Sequence, residues 1–262
     1  MAFDREFAAL HGWLDHTDRV ALEHLRAGAT AELKADGTPV TEADRAIERM
    51  LRDAIEASFP GDAVLGEEQG ASGDASRRWI VDPIDGTKNF ARGIPVFATL
   101  VALEQDGELV LGMVSAPALG ARWWASAGDG AFRDGAPIRV SSTEQLADAH
   151  ICSGDVIRYG ETGEGSDPGR RLDGFIELGR RCARFRAFGD FWGHMLVAEG
   201  AMDVMVEFAD LSVWDLAAVA VIVTEAGGKV TSVDGSTGVR SGPVLASNGM
   251  LHEQVLAILN GE

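Results

Sequence analysis

Apolar positions along the chain change their period twice. In residues 3–27, Phe3, Phe7, Leu10, Leu14, Ala21 and Leu25 recur at three-, four- and seven-residue spacings, which marks one face of a long helix stopped by Gly28. A second helix is predicted from Thr41, whose hydroxyl caps it while Asp44 sits at the third helical position, a shortened capping box. Its inward face is Ala43, Ile47, Met50 or Leu51, and Ala54, and Pro60-Gly61 ends it. Over residues 79–140 the runs become short and β-like (WIVD, FATLVALE, LVLGMVSAP, ARWWASA), with Gly and Asp between them, as in an antiparallel meander.

Beyond residue 145 strands and helices alternate. HICSG reads as a strand, 170–182 as a helix, 184–188 as a strand and 191–199 as a helix. DVMVE is then a strand and 214–225 a helix, before two strands and a closing helix. The Gly- and acid-rich stretch 159–169 reads as a mobile loop or a boundary. The expectation is an α/β (α+β) protein of two intimately joined halves, 1–145 and 146–262.

Composition narrows the functional classes. The 262 residues are 46% hydrophobic and 24% charged, the balance of a soluble globular chain, but 41 acids against 23 bases leave a net charge of −18. That charge argues against nucleic acid and anionic membranes as partners, since both need a basic face. It argues equally against an anionic substrate, unless a cation is brought in. The amino terminus has acids among its apolar residues and does not read as a signal peptide. The longest apolar run, 216–223, is far short of the ~20 residues a membrane span needs, so the expected location is cytoplasmic. The two cysteines, Cys152 and Cys182, read as buried thiols rather than a disulfide.

The densest chemical signal is WIVDPIDGTKNF, residues 79–90. A β-rich run delivers Asp82 at its end, Pro83 bars further ladder pairing, Asp85 follows, and Gly86-Thr87 makes a turn able to open a helix. Two carboxylates and a freed backbone carbonyl facing amides can hold a hard cation beside a phosphate. Aspartate suits octahedral Mg²⁺, and two ions sharing one aspartate clamp both oxygens of a displacement at phosphorus. A lone DxxDG is more often a solvated turn. An EF-hand fails, because with Asp85-Gly86 at loop positions 5 and 6, Val81 and Pro83 would fill positions 1 and 3. GDGAFRDG (128–135) fails GxGxxG at Arg133 and reads as a hairpin turn. No zinc spacing or GxSxG occurs, and His194 reads as a packed or surface helix residue. The acids gain weight from their company: VLGEEQ (64–69) ends another apolar strand in acids, and SVWDLAA (212–218) places Asp215 in the first turn of an apolar helix.

With GEE at 66–68, DPIDGT at 82–87, WD at 214–215, EAGG at 225–228 and ASN at 246–248, the chain resembles, over essentially its whole length, the inositol-monophosphatase family of Mg²⁺-dependent phosphomonoesterases. The resemblance implies a layered αβαβα sandwich, a homodimer and a small phosphomonoester substrate. It implies Glu67, Asp82 and the Ile84 carbonyl as ligands of one metal, and Asp82, Asp85 and Asp215 as ligands of a second. A third ion near Glu67 completes the expected set, with Mg²⁺ or Mn²⁺ as the metal. Gly86 and Thr87 would offer backbone N–H groups to phosphate, and Thr87, Asp44 and Glu67 would position and deprotonate the attacking water.

Within the family, residues 85–100 and 188–203 look most like the histidinol-phosphate phosphatases. The position of Asp190 is usually small or hydroxylic in inositol phosphatases; an acid there suits a substrate with an amine and an imidazole. Asp190 and Glu207 are expected to bind its cationic end, Trp192 to stack on its ring or to pack in the core, and Arg186 to ion-pair with Asp190. The rival reading is an inositol- or broad sugar-phosphate phosphatase, fructose 1,6-bisphosphate included, with Lys88, Arg92, Arg184 and Arg186 as cations for a second phosphate. A non-catalytic phosphate sensor is the contrasting class, and the intact Asp44, Glu67 and Thr87 argue against it.

Overall fold

The computed structural model describes residues 3–35, 37–154, 168–209, 211–238 and 240–261. Most of the 159–169 boundary candidate, and Asp210, therefore lie outside the described residues. Helix α1 (Asp4–Ala27) ends where Gly28 turns left-handed at φ 81°, a conformation glycine takes without penalty. Helix α2 (Glu42–Ser58) is capped by Thr41 and Asp44 in a reciprocal capping box. Its buried apolar face is Ala43, Ile47, Leu51 and Ile55, so the stripe follows the i+4 row rather than passing through Met50 and Ala54. Between the helices lies a small hairpin, β1 (Glu32–Leu33) with β2 (Pro39–Val40), which the hydrophobic pattern does not announce.

The predicted meander forms most of an eight-stranded sheet. Its strands are β3 (Ala63–Gly66), β4 (Gly70–Ser72), β5 (Arg77–Asp85), β6 (Ala98–Gln105), β7 (Glu108–Ala116), β8 (Ala121–Ser126), β9 (Gly130–Arg133) and β10 (Ala136–Ile138). They lie in the order β10-β9-β8-β7-β6-β5-β3-β4, antiparallel except where β3 runs parallel to β5. A one-turn helix, α3 (Thr87–Phe90), follows β5.

The second half supplies β11 (His150–Ser153), α4 (Pro168–Arg181), β12 (Arg184–Arg186), α5 (Asp190–Ala198), β13 (Val204–Glu207), α6 (Val213–Glu225), β14 (Lys229–Ser232), β15 (Val244–Ser247) and α7 (His252–Leu259). Its five strands are ordered β12-β11-β13-β15-β14, with β11 parallel to both β12 and β13. The alternation of side chains across each strand builds the layers. Trp79, Val81, Val101, Leu103 and Met113 pack with α1 and α2, whereas Ile80, Leu100, Ala102 and Val114 pack with α5 and α6. In the second sheet Cys152, Met205 and Ala246 face that same middle layer, and Ile151, Val204, Val206 and Leu245 face α4 and α7. The result is the αβαβα sandwich expected from the resemblance. Both cysteines are free; Cys152 is buried and Cys182 only partly so. No helix among the described residues is long and apolar enough to cross a membrane.

The α6–β7 contact is close enough to exclude a side chain. A Cβ on Gly112 would lie 2.5 Å from the Ala218 carbonyl oxygen, a backbone atom that cannot swing away. Glycine costs conformational entropy in a strand, so Gly112→Ala would ordinarily stabilise. Here we expect destabilisation on the order of 2–3 kcal/mol, read as a lower urea midpoint at unchanged slope. An equal or higher midpoint would contradict this packing.

Candidate active site

Asp82 and Asp85 are three residues apart on one strand, a spacing that normally sends side chains to opposite faces. The strand does not end at Asp82, as its sequence predicts; β5 continues to Asp85 through a register shift. Asp82 pairs with Leu100 and Asp85 with Ala98, so the β5 stretch is one residue longer than its partner. This bulge brings both carboxylates to one side, and Pro83, which cannot donate to a ladder, sits inside it with its carbonyl taken by Thr99 Oγ1 at 2.8 Å. Asp215 joins them from the third position of α6, where it closes a capping box by accepting the Ser212 N–H at 2.6 Å. Carboxylate oxygens of Asp82, Asp85 and Asp215 lie within 4.8 Å of one another.

Around this cluster the expected water-handling residues assemble. Thr87 Oγ1 is 3.1 Å from Asp44 Oδ1 and 2.9 Å from the Ile84 carbonyl, so its single proton has two acceptors in reach. Asp44 keeps its cap role at the same time, with Oδ2 taking the Thr41 N–H at 2.9 Å. Gly86 precedes Thr87 at φ 82°, and a Cβ there would sit 3.0 Å from the Val96 carbonyl, so the turn that presents Thr87 needs glycine.

Glu67 is held beside the cluster by residues that pattern reading misses. Lys34, on the loop after β1, bridges Glu67 and Glu68 at 2.7 and 2.9 Å. Glu48, buried one turn along α2 from Asp44, accepts the N–H groups of Glu68 and Gln69 at 2.7 and 3.0 Å. Its carboxylate occupies the space a side chain on Gly66 would fill, 2.3 Å from that missing Cβ. The signal for Glu48 was an acid at i+4 from Asp44, on a face otherwise apolar.

Burial dominates the electrostatics. It pushes the carboxyl groups of Asp82 and Asp85 well above their ordinary range, reinforced for Asp82 by Glu67 and for Asp85 by Asp190. Burial also raises Asp215 to about 6 and Glu67 to about 7, the latter against the pull of Lys34. Asp82 Oδ1 is buried without a hydrogen-bond partner. An all-oxygen donor set, an orphaned carboxylate oxygen and clustered like charges together fit a hard divalent cation.

The cluster opens onto a pocket of about 700 Å³ that Glu67, Asp85, Asp190, Trp192, Glu207 and Lys88 help to line. Asp190 starts α5 at φ 55°, unusual for a non-glycine residue, and accepts Asn89 Nδ2 at 3.0 Å; Asn89 is a further residue the sequence did not single out. The next N–H, of Phe191, donates to Asp85 Oδ2 at 2.7 Å and ties the organic side of the pocket to the carboxylate cluster. Glu207 lies against Gly154, where a Cβ would be 1.9 Å from Oε2. Trp192 both lines the pocket and packs on Phe188 at 4.9 Å between ring centroids. Arg186 does not join them: it is absent from the pocket wall, and its Nη1 donates to the Phe185 carbonyl. His194, read from sequence as packed or surface, is buried and lines the pocket.

The αβαβα sandwich thus sets a cation-competent carboxylate cluster beside a threonine–aspartate pair at the mouth of a pocket, and enzymes of the family whose profile it matches are metal-dependent phosphatases. The Inositol monophosphatase family profile matches residues 8–262. The histidinol-phosphatase of Streptomyces coelicolor is 45% identical over 260 residues, 95% of each chain. That of Mycobacterium tuberculosis is 48% identical over 245 residues, 91% of this chain and 92% of its own. A solved IMPase/NADP phosphatase complexed with Mg²⁺ and phosphate superposes with a TM-score of 0.84 at 25% identity, covering 100% of this chain and 97% of the other. The chain belongs to the inositol monophosphatase family and is a phosphomonoester hydrolase.

The raised carboxyl values carry a sign. Each of these acids is harder to ionise folded than unfolded, so the metal-free fold gains stability as pH falls from about 7 toward the ordinary range near 4. A cation needs the ionised form and competes with those protons. The rise in Tm produced by saturating Mg²⁺ should therefore be large at pH 8 and shrink toward pH 5. Apparent affinity should fall about tenfold per pH unit for each proton displaced. A Mg²⁺-induced Tm shift independent of pH would show that these carboxylates do not hold the ion.

Proposed function

We propose that the protein is a Mg²⁺-dependent phosphatase that hydrolyses L-histidinol phosphate to L-histidinol and phosphate. The observation that carries the substrate assignment is Asp190. A carboxylate here, with Glu207, lines the pocket that opens from the carboxylate cluster, and the relatives at 45% and 48% identity are named histidinol-phosphatases. A polyol only donates hydroxyl hydrogen bonds to two carboxylates, whereas an ammonium group also neutralises their charge.

Asp82, Asp85 and Asp215 would hold one ion, and Glu67, Asp82 and the Ile84 carbonyl another, with room for a third at Glu67; Mn²⁺ suits the same oxygens. When bound, such ions neutralise phosphate charge and make water a better acid. The Gly86–Thr87 turn would offer backbone N–H groups to the phosphate. Thr87 Oγ1 orients the attacking water and takes its proton as its own passes to Asp44 Oδ1, 3.1 Å away. Glu67 would help to position and deprotonate the same water. Asp190 and Glu207 hold the ammonium of the leaving alcohol, and the Asn89 hydrogen bond keeps Asp190 aimed there.

Two substitutions test the assignment. Asp44→Asn should lower kcat by about 10²-fold or more with a far smaller effect on KM, because no carboxylate then stands behind Thr87 to take up the proton. Asp190→Asn preserves both size and tolerance of positive φ, so it isolates charge. We expect kcat/KM for histidinol phosphate to fall by about 30-fold or more while that for inositol 1-phosphate does not fall in parallel. Wild-type protein that hydrolyses inositol 1-phosphate as efficiently as histidinol phosphate would overturn the substrate assignment and favour the rival phosphatase.

A further inference from the structure

The fold buries two imidazoles in which burial is the leading influence on charge, pulling both His194 and His252 down to about 4, and treats them differently. His252 is satisfied on both nitrogens, with Ser247 Oγ 2.8 Å from Nδ1 and Thr231 Oγ1 2.9 Å from Nε2. That is how a structural histidine is accommodated here. His194, only 3% exposed, has no partner for Nδ1. Ser153, 1% exposed, likewise has no partner for its hydroxyl. Both residues line the pocket that Asp190 and Glu207 line. A buried polar atom without a partner costs free energy, and two in one pocket mark a place where a ligand completes the bonding.

Their placement is built in. His194 lies four residues after Asp190 and shares its face of α5. That helix is pressed onto β13: a Cβ on Gly193 would fall 2.4 Å from the Phe188 carbonyl and 2.5 Å from Met205 Sδ. Ser153 ends β11, next to the end of β13 that carries Glu207, since β11 and β13 run parallel with Ser153 opposite Val206. Gly154 and Gly189 let these ends meet, a Cβ on Gly189 reaching within 3.0 Å of the Gly154 Cα.

We infer that His194 and Ser153 are specificity-determining residues which hydrogen-bond the uncharged polar group of the substrate at the end remote from phosphate. A neutral imidazole offers one donor and one acceptor, and a hydroxyl offers both. Such a pair matches a ligand group that also has one of each, and the neutral imidazole ring of histidinol phosphate is such a group. Asp190 and Glu207 are left to the ammonium. The match to an imidazole rests on the proposed substrate; the role of the two residues in reading the remote end does not.

The test compares kcat/KM for histidinol phosphate and for inositol 1-phosphate, each divided by kcat/KM for phenyl phosphate, which has no polar remote end. In His194→Phe and in Ser153→Ala the histidinol phosphate ratio should fall at least about tenfold, the value of one hydrogen bond, with the change carried by KM. His194→Asn, which keeps a donor and an acceptor near the position of Nδ1, should recover most of the ratio. A purely structural role would lower all three activities together and leave the ratios unchanged, which overturns the inference, as would full activity in every variant. Should the Phe variant not fold, Ser153→Ala and His194→Asn still decide, because unchanged ratios in both also overturn it. Wild-type protein that prefers inositol 1-phosphate would remove the histidinol assignment alone; the inference then stands or falls on whether the inositol ratio drops in the same variants.

Discussion

Asp82, Asp85 and Asp215 place carboxylate oxygens within 4.8 Å of one another, the first two buried and the third partly so, and most of the architecture follows from that constraint. At about 5 Å and an effective dielectric near 20, each pair of ionised carboxylates repels by roughly 3 kcal/mol. No local segment would adopt such an arrangement alone, so each acid is delivered by an element anchored elsewhere. β5 is held between β3 and β6, and α6 is packed against β5, β6, β7 and β8 through the middle layer. Lys34 meets the edge of the cluster through Glu67, and the remaining charge is what makes a divalent cation welcome.

The same logic separates the family's hallmark residues into those that do chemistry and those that hold it in place. Glu225 of the EAGG segment is remote from the cluster. Its two carboxylate oxygens take the N–H groups of Gly128 and Gly130 at 3.0 Å each, clamping the β8–β9 turn to the end of α6. Gly228 lets that end approach β15, since a Cβ would come 2.6 Å from the Ser247 carbonyl. Asn248 ties the Ser141–Thr143 segment to the start of α7 by donating to the Thr143 carbonyl and accepting the Leu251 N–H. These motifs fix the orientation of α6, and with it Asp215, without touching the reaction.

What the sequence revealed, and what it hid, follows the range of each interaction. The cap of α2 was readable because its partners lie three residues apart, and it carries Asp44; Asp215 was readable only as an acid in the first turn of a helix, where the structure adds the Ser212 cap. The meander was readable from period-two runs. The bulge at Pro83 was only half readable: a proline that breaks a ladder can end a strand or kink it, and pairing with Ala98 decided for the kink. Lys34 on Glu67 and Asn89 on Asp190 were not readable, since each joins elements remote in sequence and neither has a periodic signature; Glu48 left only its i+4 spacing from Asp44, which does not name Gly66 as its partner. Arg186 was misplaced for the converse reason. Closeness in sequence points to Arg186 as the partner of Asp190, but Arg186 ends β12 bonded to its neighbour's carbonyl.

The net charge of −18 first counted against a phosphorylated substrate. Charge acts over about a Debye length, roughly 8–10 Å at moderate salt, so the sum over the surface matters less at the phosphate than the few charges beside it. Beside it the acids are ones that cations would neutralise, whereas Asp190 and Glu207 line the pocket that opens from that cluster. In the proposed reading, a substrate with a terminal phosphate and an ammonium along its chain would be admitted in one orientation, since the reverse would place the ammonium against the ions and the phosphate against two carboxylates. The acidity that argues against nucleic acid would therefore, inside the pocket, orient the proposed phosphomonoester.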